Sequence, residues 1–275
     1  MADLTIIIVS FNTRAELEAC LGSLVEHQSR TSHEIVVVDN ASSDHTPAAL
    51  RERWPGVRLI ECGRNIGFAA ANNLGIRSSS GEFVLLLNSD TLVRPGAIDT
   101  LVEQLRRSPE VAAAGPRIVD ANGRAELSFG RMISPLAEAR QKLLIRLHER
   151  GVRLANRRVE RLTRTRHYPD WVSGACLMVR RDDAVAAGLL DERYFLYAED
   201  VDFCAALRAR GRRVLFVPGA EIVHLRGRAR GTIPIASEQA YRRAHLAFYA
   251  KHYPLWLPWL SLYLRVRGKL PPEGA

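Results

Sequence analysis

The sequence predicts an α/β fold, a mostly parallel sheet covered by helices on both faces. Three observations carry this reading. The apolar runs "LTIIIVS" (4–10), "EIVVVD" (34–39) and "EFVLLLN" (82–88) are nearly continuous rather than alternating, as strands buried on both faces are. The segments between them repeat apolar residues at helical spacing. Each run then ends in a polar cluster: Ser10-Phe11-Asn12, Asp39-Asn40 and Asn88-Ser89-Asp90. In open α/β sheets the crevice beyond the carboxyl ends of the strands is where ligands bind.

Taken in order, "AELEACLGSLVEH" (15–27) reads as a helix, and the Asp39-to-Asp44 tail of the second strand reads as a loop into another. "VRLIEC" (57–62) is a third strand, "GFAAANNLGIRSS" (67–79) a helix, and Pro95 sits at a plausible first turn of the next helix. The alternation stops near residue 120. Beyond it come a basic helical segment and the strand-like "WVSGACLMVRR" (171–181), then a helix starting in "YAEDVDFCAALRARG" (197–211). Strands at "RVLFVP" (213–218) and "EIVHL" (221–225) close this part. The expected organisation is one domain over 1–225, with a nucleotide-binding half (1–120) and a more irregular acceptor half (121–225), followed by a helical, aromatic and basic extension (226–275).

Composition is that of a globular chain, 47% hydrophobic and 25% charged over 275 residues. Four dispersed cysteines without a C-x-x-C pair suit reduced thiols, not a disulfide framework or a zinc site. No secretory segment opens the chain. "YPLWLPWLSLYL" (253–264) is too short and too proline-interrupted to span a bilayer. A cytoplasmic location is expected.

The net charge of +9 is concentrated. Residues 137–166 hold ten Lys/Arg against Glu138, Glu149 and Glu160, which is +7 of the total. The same stretch carries Leu143, Leu144, Leu147 and Leu154, and the C-terminal "HYPLWLPWLSLYLRVRGK" pairs Trp256, Trp259 and Tyr263 with Arg265, Arg267 and Lys269. Aromatics beside cations in a segment too short to span fit an interfacial contact with an anionic membrane. The alternative is ordinary packing of these aromatics on the domain. Nucleic acid is not expected, since no zinc module, helix-turn-helix or RNA-module signature is present.

The site chemistry is carboxylate and amide. There is no G-x-G-x-x-G after the first strand and no P-loop. At this point "VSFNT" (9–13), "VVVDNASSD" (36–44), "RNIGFAAANN" (64–73), "LLLNSD" (85–90), "VSGACLMVRR" (172–181) and "LDERYFLYAEDVDFC" (190–204) together resemble glycosyltransferase family 2, in its bacterial rhamnosyltransferase-like branch. The resemblance runs from residue 4 to about 225 in the family's motif order. It implies a GT-A fold, a nucleoside-diphosphate-sugar donor (dTDP-rhamnose, or another dTDP- or UDP-sugar), Mn²⁺ or Mg²⁺, and inversion at the anomeric carbon. The implied acceptor is a glycan or polyprenyl-linked hydroxyl in cell-surface polysaccharide synthesis.

Residue by residue, the resemblance implies that Ser10, Phe11, Asn12 and Asp39 line the donor site, Asp39 holding the base. It places Arg64, Asn65, Gly67 and Asn72 toward the diphosphate, where a helix start favours anions. Asn88-Ser89-Asp90 matches the D-x-D position with Asn first: Asp90 would bind the metal, and Asn88 would offer only a neutral oxygen. His224 occupies the position of a metal-reaching histidine. Asp200 would be the general base, with Trp171, Gly174 and Glu199 in the acceptor region. For most of these a structural role competes: Asp39, Asn65, Asp90 and Glu199 could cap or turn, and Trp171 and His224 could pack. A sugar nucleotidyltransferase would need a Gly-rich loop after the first strand, which "VSFNTRAEL" lacks. A non-catalytic sugar-nucleotide-binding subunit would not need Asp39, Asp90 and Asp200 together.

Overall fold

The computed structural model describes residues 2–225 and 234–271, the side chains of 234–237 excepted. The first half follows the strand–helix alternation: β1 (Leu4–Ser10), α1 (Arg14–Glu26), β2 (His33–Asp39), α2 (Thr46–Arg53), β3 (Arg58–Glu61), α3 (Phe68–Arg77), β4 (Phe83–Asn88), β5 (Thr91–Val93) and α4 (Ala97–Arg107). Then come β6 (Val111–Val119), β7 (Ala125–Glu126), β8 (Phe129–Gly130), α5 (Pro135–Glu149) and α6 (Arg153–Thr163). The chain continues through β9 (Trp171–Val172), β10 (Cys176–Arg180), α7 (Arg181–Ala186), α8 (Glu199–Ala209) and β11 (Arg213–His224). Two C-terminal helices, α9 (Pro234–His252) and α10 (Leu257–Val266), follow.

Nine strands form one sheet in the order β3-β2-β1-β4-β10-β6-β11-β5, with β7 added to β6. Strands β3, β2, β1 and β4 run parallel, and β10 enters antiparallel between β4 and β6. Alternate side chains feed two cores. Ile6, Ile8, Leu85 and Leu87 meet α1 and α4 on one face. Ile7, Val9, Val84 and Leu86 meet α3 and α8 on the other. Both faces are therefore dry, which is why these strands read as unbroken apolar runs.

Three segments differ from the sequence expectation. The basic stretch is two helices, not one. Ser134 caps α5 through a bond from the Ala137 N–H, Pro135 occupies its first turn, and Gly151, in the left-handed region at φ +77°, turns the chain into α6. "WVSGACLMVRR" is two strands broken by the Ser173-Gly174-Ala175 turn. Conversely, 213–218 and 221–225 join into the single strand β11, which absorbs the mismatch as a register shift between Val217 and Glu221. Of the C-terminal extension, residues 226–233 lie outside the described residues.

A third, smaller core locks the C-terminal helices in place: Tyr194 and Val201 pack against Ala244, Phe248 and Tyr249 of α9. Asp202 of α8 sits at its edge, nearly buried, and accepts from Lys251 (2.8 Å), His252 (2.6 Å) and the Tyr194 hydroxyl (3.3 Å). Among the described residues no helix is long and apolar enough to cross a membrane.

Candidate active site

The sheet register brings three predicted clusters to one edge. Ser10 pairs with Asp39, and Val9 pairs with Asn88, so β1, β2 and β4 end level with one another. Asp39 is buried. Its Oδ2 accepts from the Ser42 N–H at 2.9 Å, while Oδ1 has no partner among the described residues. An orphaned carboxylate oxygen in a dry site is costly unless a ligand donor completes it.

The loop facing Asp39 is held by Asn40, which the sequence places in the polar cluster at this edge without a role of its own. Its Oδ1 accepts from the Ile66 N–H (3.0 Å) and its Nδ2 donates to the Gly67 carbonyl (3.2 Å). Asn65 closes an Asx turn on the Gly67 N–H at 3.0 Å. Gly67 has φ +88°, and a Cβ there would lie 2.7 Å from the Phe195 carbonyl. Only glycine fits. Arg64, beside this turn, is exposed and makes no hydrogen bond or ion pair among the described residues, so its guanidinium is available to an anion. Asn72 lies inside α3, buried, and bonds back to the Phe68 carbonyl. It is Asn73 that crosses to the Leu190 backbone and Glu192.

On the other side of Asp39, Asn12 adopts φ +54° and accepts from the Ser43 N–H at 2.7 Å. Ser10 begins a hydroxyl chain, Ser10 to Thr13 (3.1 Å) to Ser89 (2.9 Å), and so faces inward rather than toward the mouth. Phe11 is partly exposed at the rim.

At the end of β4, Asp90 meets His224, with Oδ1 3.2 Å from Nε2. Strand β7 places Glu126 on the opposite ring nitrogen at 3.7 Å. Burial alone would lower the His224 pKa, but the bonds and charges of Asp90 and Glu126 raise it to about 9. The Asn88 Oδ1 is buried without a partner. Among the described residues no three His, Cys, Asp or Glu side chains form a preassembled metal cage. The donor set nonetheless fits a hard divalent cation. One carboxylate, one imidazole and one orphaned amide oxygen suffice where a diphosphate and waters supply the remaining ligands.

Asp200 lies across the mouth at the start of α8. Its Oδ2 accepts from the Gly174 N–H and its Oδ1 from the Val201 N–H, each at 2.8 Å. Both residues before the helix are left-handed, Tyr197 at φ +74° and Ala198 at φ +66°, a strain that persists only where the surroundings impose it. Burial raises the Asp200 pKa, opposed by those N–H bonds. Its neighbour Glu199 is fully enclosed, with an unpartnered Oε2. Burial first, and the Asp200 charge second, push Glu199 well above the ordinary carboxylate range. The two adjacent carboxyl groups thus differ: Asp200 is held by two N–H donors that oppose its upward shift, whereas Glu199 is pushed up by burial and by the charge of Asp200.

Asp200 and His224 both line a cavity of about 360 Å³, together with Trp171, Ser173 and residues of α5 and α9. Trp171 also donates to the Arg131 carbonyl at 2.9 Å, so it both lines the cavity and ties β9 to the loop before α5. Deeper in, Glu138 of α5 bonds His245 (2.9 Å), the Tyr249 hydroxyl (3.2 Å) and Lys142. Burial would raise the Glu138 pKa, but these partners hold it down to about 2. Glu126, Glu138 and His245 carried no motif signal, because only the tertiary fold brings them to the cavity.

Residues 5–182 match the family described as Glycosyl transferase family 2. The chain belongs to that family. It is 32% identical over 279 residues, 97% of this chain and 90% of the relative, to N-acetylglucosaminyl-diphospho-decaprenol L-rhamnosyltransferase of Mycobacterium tuberculosis. It is therefore a bacterial rhamnosyltransferase-like member and a glycosyltransferase. Among solved structures, the mannosyltransferase PcManGT of Pyrobaculum calidifontis, in complex with GDP-Man and Mn²⁺, superposes with a TM-score of 0.64 at 21% identity, covering 94% of this chain and 68% of that one. GalNAc-T7 with UDP, GalNAc and Mn²⁺ gives 0.62 at 18% identity, covering 82% of this chain and 43% of that larger one. Both are GT-A enzymes, and the family 2 chain shares their fold.

Proposed function

We propose that this glycosyltransferase moves a sugar, L-rhamnose from dTDP-rhamnose in the most specific reading, onto a hydroxyl of a polyprenyl-linked glycan with inversion. One observation carries the reading. Asp200 is pinned by two backbone N–H groups at the wall of a cavity whose rim also holds His224 and, through it, Asp90.

The division of labour follows from the side chains. Asp39 accepts from the base through its unpartnered oxygen, and Arg64 with the Asn65–Gly67 turn meets the diphosphate. Asp90, His224 and Asn88 would hold Mn²⁺ or Mg²⁺. Bound there, a divalent ion would supply charge neutralisation for the departing diphosphate. Asp200 takes the proton of the acceptor hydroxyl as its oxygen bonds the anomeric carbon, and the bond from that carbon to the diphosphate breaks on the opposite side. Burial and the neighbouring Asp200 push Glu199 toward its neutral form, which limits the charge beside the base. The L-rhamnosyl and polyprenyl-linked parts are supported by the mycobacterial relative.

The same reading puts the enzyme peripherally on the inner face of the cytoplasmic membrane. Trp256, Trp259, Leu262, Tyr263 and Val266 of the C-terminal segment are all more than half exposed. Arg150, Arg153, Arg157, Arg158 and Arg161 are exposed on and around α6. Sedimentation with anionic vesicles at low salt tests this, and failure to co-sediment refutes it.

The deciding experiment for the transferase is a panel of dTDP-, UDP- and GDP-sugars with Mn²⁺ or Mg²⁺, read by thermal shift and by slow donor hydrolysis. dTDP-rhamnose should stabilise and turn over best. Preference for another sugar replaces the donor assignment, and no response to any donor refutes the reading.

A further inference from the structure

A second cavity, about 770 Å³, opens directly behind the catalytic one, between α5, α9 and α10. The two share a wall of four residues, Glu138, Lys142, Tyr241 and His245. Past that wall the groove turns apolar, lined by Leu143, Trp256, Trp259, Leu260 and Tyr263. Its lining cations are Lys142, Arg146, Arg242, Arg267 and Lys269; Lys142 pairs with Glu138, and Glu238 pairs with Arg242 (3.5 Å) and Lys269 (3.0 Å), which leaves Arg146 and Arg267 without an ion pair among the described residues.

The charge is arranged rather than scattered. Lys142 and Arg242 both lie over the Tyr241 ring, at 5.6 and 5.4 Å from its centre. The buried Arg242 Nε has no hydrogen-bond partner, and neither has Nδ1 of His245, a residue that is 7% exposed and lines both cavities. Arg146, on the same rim, makes no ion pair among the described residues. An unsatisfied buried guanidinium N–H at a cationic neck, with a hydrocarbon-lined groove on one side and the Asp200 cavity on the other, fits an anion that joins a polar head to an apolar chain.

We propose that this neck binds the diphosphate of the lipid-linked acceptor and that the groove between α5, α9 and α10 holds the first part of its hydrocarbon chain. The inference rests on the transferase reading for the identity of the head group, and it assigns the chain a place that reading leaves open. With the diphosphate at Lys142, Arg242 and His245, the sugar lies in the smaller cavity with its hydroxyls toward Asp200. The chain runs out between the exposed aromatics of α10. A groove that meets only the membrane surface would not need a cationic neck leading inward to the catalytic cavity.

Geranyl diphosphate is a direct probe, read on the full chain by quenching of the fluorescence of Trp256 and Trp259, with no donor present. It should bind at least about tenfold more tightly than either inorganic diphosphate or geraniol, since neck and groove act together. Arg146→Gln combined with Arg242→Gln should weaken geranyl diphosphate binding by about tenfold. Leu143→Gln, at an exposed position, should weaken geranyl diphosphate but not inorganic diphosphate. Unchanged melting temperatures show that the variants fold. Equal affinity of all three probes, or variants that bind like the parent, overturn the proposal. Displacement of geranyl diphosphate by phosphatidylglycerol vesicles also overturns it, by assigning the groove to bulk lipid. Binding without any sugar transfer upholds the groove while refuting the transferase reading. Transfer without binding does the reverse.

Discussion

The backbone N–H of Gly174 donates to Asp200 Oδ2 at 2.8 Å, so the turn between β9 and β10 fixes the carboxylate at the head of α8. A Cβ at Gly174 would come within 3.3 Å of the Asp200 Cβ, and the absence of a side chain lets the turn sit this close. The Asp200 carboxylate is thereby aimed by backbone, not by another side chain. Its orientation should survive most changes around it.

Asp200→Asn is nearly isosteric but keeps only one of the two N–H contacts, because its NH2 cannot accept, and it removes the proton acceptor. Turnover should fall by about 10²–10⁴-fold while donor-induced thermal shift is retained. A loss below about tenfold would show that another group takes the proton. Because burial raises the Asp200 pKa, the acid limb of the turnover–pH profile should lie above 3.8, with activity falling as pH drops through it.

Glu199→Gln tests the paired carboxyl. Its folded pKa is raised above 4.5, so the neutral form stabilises the native state fully below pH 4.5, and that stability is lost as pH rises toward the folded value. The glutamine variant should be insensitive over that window. Melting temperatures recorded from pH 5 upward should decline less for the variant than for the parent.

Gly67→Ala places a methyl group against the Phe195 carbonyl at a left-handed position. The expected cost is about 1–3 kcal/mol in denaturant unfolding. The donor KM should rise with it, because the displaced turn carries Arg64 and Asn65.

The metal proposed at Asp90 and His224 makes activity chelator-sensitive: chelator should remove it, and added Mn²⁺ or Mg²⁺ should restore it. Asp90→Asn should abolish metal-dependent donor binding, whereas Asn88→Asp should preserve or tighten it by adding charge where an oxygen already has no partner. Titrations of metal against thermal shift separate the two. Equal behaviour of both variants would dissociate Asp90 from the metal.

Asp202→Ala leaves His252 without its acceptor and Lys251 with only Asp191. Destabilisation of about 3 kcal/mol is expected by chemical denaturation. Hydrogen exchange in α9 should accelerate more than in β1 or β4, because Asp202 ties α9 to α8.

The first half was legible because β1, β2 and β4 are buried on both faces, and their carboxyl ends announce the site in one-letter code. Strand β6 was not. Its "VAAAGPRIV" has poor strand propensity, and the small residues answer a tertiary demand: a Cβ on Gly115 would lie 2.7 Å from Val172. Motif order brought Asp39, Asp90 and Asp200 into view as a set. It was silent on Asn40, whose two bonds hold the facing loop, and on Glu126, which reaches His224 only through the β6–β7 pairing. It was silent too on Glu138 and His245, which meet across 107 positions of sequence.

Strand β10 runs against β4, and its amino-terminal end, not its carboxyl end, lies at the mouth. The Asn88 N–H therefore bonds the Ala175 carbonyl at 3.0 Å, stitching the strand that carries Asn88-Ser89-Asp90 to the turn that holds Asp200. On the proposed reading, changes in α5 or α9 would retune the acceptor without touching β1 to β4, whereas changes in the β9–β10 turn would be felt at Asn88 as well, so that turn is where the two substrate specificities constrain each other.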